Sequence, residues 1–268
     1  MYHLTENGPR TCNASIGRCP YKTAHFQNFS DAEETYSLQF DLSPQRKLYA
    51  PAKSSFTPPS ASEAKEVLSS FSDEKPEIKL LTGSLIAHSN FGSIVYNLDN
   101  PESDNDLFFM VDKKASHDFQ GIDAQKRDVK VSSIFNFAKE YLSGANFNVD
   151  ILHSGALQMP PDQAWSSYLQ NLRFNKYEYL TKLRALTEKF ALNAALKHKE
   201  PRVARKLIKT ALRNEILANR FQREDHVRPV FTATEREGFY RSLDFVNKNY
   251  ANSNDGLSLI KQASLEVD

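Results

Sequence analysis

Apolar residues change their spacing several times along the chain, and each change predicts a different kind of element. At Ala64, Val67, Leu68 and Phe71 they step by three and four, which predicts a short helix from Glu63 to Phe71 with Ser62 as its cap. Between Ile78 and Asp150 the pattern becomes Lys79-Leu80-Leu81, Leu85-Ile86-Ala87 and Leu107-Phe108-Phe109-Met110-Val111, with Gly, Ser, Asn and Asp clusters between the runs. Such runs predict short buried strands. Val129 and Val131 keep strand spacing, whereas Ile134, Phe135, Ala138, Tyr141 and Leu142 take up helical spacing, and Gly144 offers a C-terminal stop. From Pro161 onward the periodicity is helical: Leu169, Leu172, Tyr179, Leu180, Leu183, Leu186, Phe190 and Ala194 form one stripe. Val203, Leu207, Ile208, Ala211, Leu212, Ile216 and Phe221 form a second, and Pro201 falls between them, where it separates two helices or opens the second. A third helix is predicted over Thr234 to Asn247, with Thr234 as cap and Glu237 three residues on.

These elements divide the chain into a small N-terminal module (1–49), a linker rich in Pro, Ser and Ala (50–62), a mixed α and β core (63–160), a helical region (161–248) and a weakly patterned polar tail (249–268) that is expected to fray. The N-terminal module carries both cysteines and a predicted strand at 36–42. The fold class is therefore α+β: a mixed sheet with flanking helices, followed by a helical C-terminal region.

Composition narrows the function. Of 268 residues, 34 are Lys or Arg and 33 are Asp or Glu, so a net charge of +1 supplies no global attraction to nucleic acid or anionic lipid. The charge is uneven, however. Arg173 to Arg241 holds 17 basic against 8 acidic residues, a local balance of +9, concentrated at Lys197, His198, Lys199, Arg202, Arg205, Lys206, Lys209 and Arg213. That run reads either as a solvated helix surface or as a groove for a triphosphate or an RNA end. No apolar stretch reaches the roughly 20 residues of a bilayer span, and the polar start is unlike a secretion signal, so no membrane role and a cytoplasmic location are expected. The two cysteines, Cys12 and Cys19, are too few for a disulfide framework and fit a reducing compartment.

The chemistry concentrates between Gly92 and Asp106. Asp104 and Asp106 are alternate residues entering a strand, so their carboxylates share a face and can grip one hard cation. An isolated Ser-Asp-x-Asp would read as a solvated turn. Here it follows Gly92-Ser93, where glycine permits backbone N–H groups and a hydroxyl to approach an anion closely. A phosphate cradle beside paired carboxylates is what Mg²⁺-dependent phosphoryl or nucleotidyl transfer requires.

The whole string resembles the GSxxYxLxxPxSDxD motif of stand-alone nucleotidyltransferases in the DNA polymerase β superfamily. Gly92, Ser93, Tyr96, Leu98, Pro101, Ser103, Asp104 and Asp106 supply the matching identities within fifteen residues. The resemblance extends over about residues 78 to 220. It implies a nucleotidyltransferase-fold sheet, Mg²⁺ (or Mn²⁺) held by Asp104 and Asp106, and a third carboxylate at Asp128 in Arg127-Asp128-Val129-Lys130-Val131. It further implies phosphate contacts at Gly92 and Ser93, a helix over Ser132 to Tyr141 and an Asn-rich turn at 144–148. Where the family often has glycine, this chain has Asn97, the non-glycine residue that best tolerates the left-handed conformation. Gly83-Ser84 lies too far from Asp104 to take the phosphate role. Asp150 departs from the pattern, falling where relatives often carry Glu near the end of the next strand, and serves as a structural partner or a ligand. Tyr96 and Leu98 are expected to pack in the core, and Trp165 and Tyr168 to pack between helices.

The activity implied is transfer of a nucleoside monophosphate from an NTP to an acceptor hydroxyl, with Lys206 or Arg213 neutralising the leaving group. The acceptor is an RNA end, a protein hydroxyl (AMPylation or UMPylation) or a small molecule, and the basic helical region favours RNA. The alternatives are a non-catalytic module on the same fold that senses nucleotide or binds protein, or a toxin or antitoxin component. Separately, His3, Cys12, Cys19 and His25 form H-x8-C-x6-C-x5-H, a donor set competent for structural Zn²⁺. The same residues also read as buried neutral cysteines with surface histidines.

Overall fold

The computed structural model describes residues 2–5, 8–11, 25–26, 59–74, 85–99, 103–112, 118–123, 125–159, 163–197, 199–250, 253 and 255–267. The predicted strand at 36–42, most of the linker, Lys79-Leu80-Leu81, Gly83-Ser84, Cys12, Cys19 and Pro101 lie outside them. Near the N-terminus, β1 (Tyr2–Thr5), β2 (Gly8–Thr11) and β3 (His25–Phe26) form an antiparallel sheet of order β2-β1-β3, in which His3 is the register partner of His25.

The main sheet has order β4-β5-β7-β6, from β4 (Leu85–Asn90), β5 (Leu107–Val111), β6 (Phe119–Ile122) and β7 (Asp128–Ser133). β5 pairs antiparallel with β4 and parallel with β7, and β6 closes the sheet antiparallel to β7. Every residue of β5 is buried, which explains its unbroken apolar run: a strand covered on both faces has no polar side to present. Its side chains divide by parity. Leu107, Phe109 and Val111 pack with Val129, Val131, Ala64 and Leu68 beneath α1 (Ala61–Glu74). Phe108 and Met110 join the larger core under the remaining helices.

After β7 the chain turns straight into α2 (Ile134–Leu142), capped by the Ser133 hydroxyl accepting from Asn136 N at 3.1 Å. Gly144, at φ +70°, ends that helix as predicted. α3 (Asn146–His153), α4 (Gln163–Gln170), α5 (Lys176–Leu196), α6 (Pro201–Glu224), α7 (Ala233–Tyr250) and α8 (Gly256–Ser264) follow. α5 and α6 form a hairpin with Pro201 in the first turn of the second helix, and α8 packs on α5, α6 and α7. No helix among the described residues is long and apolar enough to cross a membrane.

The observed elements correct the sequence reading in six places. α1 starts at Ala61, and its capping box is Ser60 with Glu63, each bonding the other's backbone N–H; Ser62 only meets the Ser60 hydroxyl. The box of α7 is Thr232 with Glu235, two residues before the predicted pair, because Glu235 is also drawn into ion pairs with Arg220 and Arg228 that the later frame would lose. Residues 146–148 are the first turn of α3, so the Asn-rich turn shortens to its glycine. Asp150 therefore sits on a helix, not at a strand end. The tail is a helix, α8, capped by Asp255 and anchored by buried Ile260. β6, whose residues alternate between half-buried and exposed, carries no apolar run and was not predicted.

A Cβ at Gly144 would stand 2.6 Å from Tyr179 N and 2.8 Å from Asn175 O, where the end of α2 meets the start of α5, whereas one at Gly238 within α7 would meet nothing nearer than 3.5 Å. Gly144→Ala is therefore expected to destabilise by about 2 kcal/mol or more, and Gly238→Ala to stabilise by up to about 1 kcal/mol. Urea unfolding midpoints of the two variants check this, and equal midpoints would contradict it.

Candidate functional site

Leu107 pairs with Val129 in the parallel β5–β7 ladder, so the residues immediately before them, Asp106 and Asp128, stand side by side at one end of the sheet. The backbone N–H of Asp128 reaches the Asp106 carboxylate. On the other flank, Phe91 N donates to Asp106 O at 2.9 Å, which brings Gly92 over the same aspartate. Gly92 has φ +75°, and a Cβ there would lie 3.1 Å from Asp106 Oδ2. Glycine is thus required at this point both for its backbone conformation and for the space it leaves beside the carboxylate.

Gly92–Tyr96 then forms a short 3₁₀ helix that ends at Asn97 in the left-handed conformation, φ 59°, as its place in the motif predicted. The Ser93 hydroxyl meets that of Ser103 at 3.1 Å, which links the start of the turn to the segment carrying Asp104. Phe231 N donates to Tyr96 O and Asn97 Nδ2 donates to Phe231 O, fastening the end of the turn to the lead-in of α7.

Basic side chains of α6 run along this loop. Lys206 Nζ bonds Asp104 Oδ2 at 2.8 Å, and one helical turn on Lys209 Nζ donates to Leu98 O at 2.7 Å. Another turn on, the Arg213 guanidinium lies 4.0 Å from the centre of the Tyr96 ring. From α7, Tyr240 Oη also donates to Leu98 O, at 2.6 Å, and Arg236 donates to Asp99 O. Beneath the ring, Tyr96 Oη and Tyr179 Oη both donate to the buried Asp150 carboxylate, at 2.8 and 2.6 Å.

Of the residues singled out from sequence, Gly92, Ser93, Asp104, Asp106, Asp128 and Lys206 therefore meet at one place. The Arg213 guanidinium instead lies over the Tyr96 ring and donates to Asn214 Oδ1. Asp150 is a structural partner of two tyrosines in the core. Tyr96 is buried as expected but also carries the hydroxyl that reaches Asp150. Trp165 and Tyr168 form an edge-on pair on α4. Of the zinc-competent set, only the backbones of His3 and His25 are described, and their register pairing makes them cross-strand neighbours. Arg236 and Tyr240, which hold the loop carbonyls, were not singled out from sequence. They lie more than 130 residues from their partners, and no local spacing marks such contacts.

The electrostatics favour a cation. Burial, and then the neighbouring Asp128 and Asp104, push the Asp106 carboxyl up to about 6. Its Oδ1 is buried and has no hydrogen-bond partner among the described residues. The Lys206 ammonium is held in its charged form, first by the hydrogen bond to Asp104 and then by the surrounding carboxylates. Among the described residues, no group of three or more His, Cys, Asp or Glu side chains converges closely enough to hold a metal ion as it stands. The orphaned Oδ1, the three neighbouring carboxylates and the ammonium drawn toward them nonetheless fit a divalent cation.

No protein-family model matches the chain, and no curated protein matches it. Among solved structures, a nucleotidyltransferase-like protein from Exiguobacterium sibiricum aligns over 76% of this chain and 73% of its own, at 10% identity and a TM-score of 0.28. A likeness at that score carries no weight in the reading below.

Asp150 generates a pH prediction. Burial raises its carboxyl to about 6 against the hydrogen bonds from Tyr179 and Tyr96. A carboxyl whose folded pKa is raised contributes stability that is full below its unfolded pKa, near 4, and is lost as pH rises through the folded value. Asp150→Asn lacks this dependence, so its stability relative to wild type is expected to rise by on the order of 2–3 kcal/mol between pH 4 and pH 7. Thermal or urea unfolding across that window checks it, and a pH-independent difference would contradict it.

Proposed function

We propose that the chain is a metal-dependent nucleotidyltransferase of the DNA polymerase β superfamily that moves a nucleoside monophosphate from an NTP to an acceptor hydroxyl. The observation that carries the reading is the side-by-side placing of Asp106 and Asp128 with Gly92 directly over the Asp106 carboxylate. It supplies, on three separate chain segments, the carboxylates and the anion-accessible backbone that the motif implies.

Asp104, Asp106 and Asp128 would hold Mg²⁺ or Mn²⁺, which when bound neutralises charge on the triphosphate and makes the acceptor hydroxyl more acidic. Gly92 N–H and the Ser93 hydroxyl would bind phosphate oxygens. The acceptor oxygen would bond to the α-phosphorus while the bond from that phosphorus to the α–β bridging oxygen breaks. Its electron pair leaves with pyrophosphate. Asp128, exposed at the start of β7, would take the acceptor proton. Lys206 would neutralise the leaving group by turning from Asp104 to the phosphates. Arg213 is less suited to that role, since its guanidinium is committed to Tyr96. The basic face of α6 favours an RNA acceptor, and a chain with only two cysteines suits a cytoplasmic setting.

A second reading is a nucleotide-binding module without turnover, favoured by the ion pair that keeps Lys206 on Asp104. The two separate when the purified protein is incubated with each α-³²P-labelled NTP, Mg²⁺ or Mn²⁺, and cell RNA and protein. Label is expected in RNA with wild type and to fall about 10³-fold or more in Asp104→Ala/Asp106→Ala, equivalent to about 4 kcal/mol of transition-state stabilisation. Nucleotide binding without label in any acceptor would favour the second reading.

A further inference from the structure

Among the described residues the largest fully buried side chain is a charged one, Arg220, near the end of α6. Its guanidinium ion-pairs with Glu235 at 3.0 Å, donates to Arg228 O at 2.8 Å and lies 4.7 Å from the centre of the Phe231 ring. Arg228 closes the circle by bonding both oxygens of Glu235, and Glu235 accepts from Thr232 N. These contacts grip the segment from Arg228 to Thr232, the same segment whose Phe231 backbone holds Tyr96 and Asn97. We infer that Arg220 is a positioning residue for the turn at Gly92–Tyr96, acting through Glu235 and the Phe231 backbone. The inference rests on the nucleotidyltransferase reading for what the turn binds, and on the hydrogen bonds alone for how the turn is held.

Three observations carry it. The first is the choice of residue. An apolar side chain would hold the end of α6 about as stably as a buried charge, because desolvation consumes most of what a buried ion pair gains. What a guanidinium adds is direction, since its planar fork of N–H donors fixes two acceptors at once. Here the two are a carboxylate on α7 and a carbonyl in the lead-in to that helix. Burial would raise the Glu235 carboxyl, but hydrogen bonds from Arg228 and Thr232 N and the charge of Arg220 bring it down to about 2, so the network stays charged at neutral pH. The second is the helix. α6 also carries Lys206, Lys209 and Arg213, which meet Asp104, Leu98 O and the Tyr96 ring. Arg220 follows Arg213 by seven residues, two turns and about 10.5 Å along the same face. One helix therefore fixes the loop from Asp104 back to Asn97, the last step by way of the lead-in to α7. The third is how differently the two halves of the site are held. The turn closes on itself through Asn97 N to Ile94 O at 3.1 Å and Leu98 N to Ser93 O at 3.0 Å, bonds of the tight kind that hold a short turn weakly. Asp106 and Asp128 are fixed by the β5–β7 ladder instead. Loss of Arg220 should loosen the first and spare the second.

Hydrogen exchange of the full chain, without metal or nucleotide, reads the turn directly. In Arg220→Lys, whose single ammonium cannot span Glu235 and the Arg228 carbonyl, the amides of Asn97 and Leu98 are expected to exchange about tenfold faster while those of β5 and β7 keep their wild-type rates. Binding reads the consequence. The preformed complex of Mn²⁺ with inorganic tripolyphosphate is titrated by calorimetry, and free Mn²⁺ by its electron paramagnetic resonance signal. Arg220→Lys should weaken the tripolyphosphate complex about tenfold, equivalent to about 1.4 kcal/mol, and leave free Mn²⁺ affinity within about twofold of wild type. Asn97→Gly keeps the left-handed backbone and removes the side-chain bond to Phe231 O; it should give the same split, and the double variant should bind no worse than either single one. Unchanged exchange and affinity in Arg220→Lys overturn the inference. So do equal losses across turn, strands and Mn²⁺, which mark general damage, and additive losses in the double variant. Wild type that fails to bind the tripolyphosphate complex would sink the phosphate role of the turn under the transferase reading, while the exchange rates still decide whether Arg220 holds it.

Discussion

Parallel pairing of β5 with β7 is the constraint on which the site depends. Because Leu107 meets Val129, the aspartates before them are adjacent although 22 residues apart in the chain, Asp106 fixed by the strand it precedes and Asp128 by the strand it opens. A shift of one residue in this register would exchange the side chains that β5 gives to its two cores and part Asp106 from Asp128, so the packing on both faces also fixes the carboxylates. The charge repulsion built up there is sustained by the surrounding fold, with the ammonium of Lys206 as its partial counterweight.

The helical half of the molecule does more than cover the sheet. α6 lays Lys206, Lys209 and Arg213 along the segment from Asp104 back to Tyr96, and α7 adds Tyr240 and Arg236 to the carbonyls of Leu98 and Asp99. The short 3₁₀ turn after Gly92 has few bonds of its own and would be mobile if isolated. It is held from outside, through Tyr96 on Asp150 below and through the lead-in to α7 at its end. Part of a basic stripe that reads in sequence either as a solvated face or as a groove for a triphosphate or an RNA end thus goes to orienting one loop.

What could be read in the sequence was local. The string from Gly92 to Asp106 carried the turn, the left-handed Asn97 and the paired aspartates, because each depends on neighbours within a few residues. The stripes of α5 and α6 were legible because one face of each is apolar and the other is wet. α3 was not, since Asn148 to His153 are buried without interruption, and a helix covered on all sides has no period to show. The resemblance alone placed Asp150 at the end of a strand, and no period was there to correct it. The cap of α7 failed for a different reason. Thr232-x-x-Glu235 and Thr234-x-x-Glu237 are equally good boxes in sequence, and the choice was made by Arg220 and Arg228, which claim Glu235. The loop anchors Arg236 and Tyr240 were invisible for the same reason: their meaning lies in contacts across the fold.

We propose that Asp104, Asp106 and Asp128 form a cation site whose place beside Asp104 is held by the Lys206 ammonium. Mn²⁺ titration followed by loss of the free-ion electron paramagnetic resonance signal tests it most directly, without nucleotide or acceptor. The account predicts that wild type binds Mn²⁺, that Asp106→Asn weakens binding by about tenfold or more, equivalent to about 1.4 kcal/mol, and that Lys206→Met tightens it by releasing Asp104. Mn²⁺ binding that is absent from wild type, or identical in all three proteins, would contradict it.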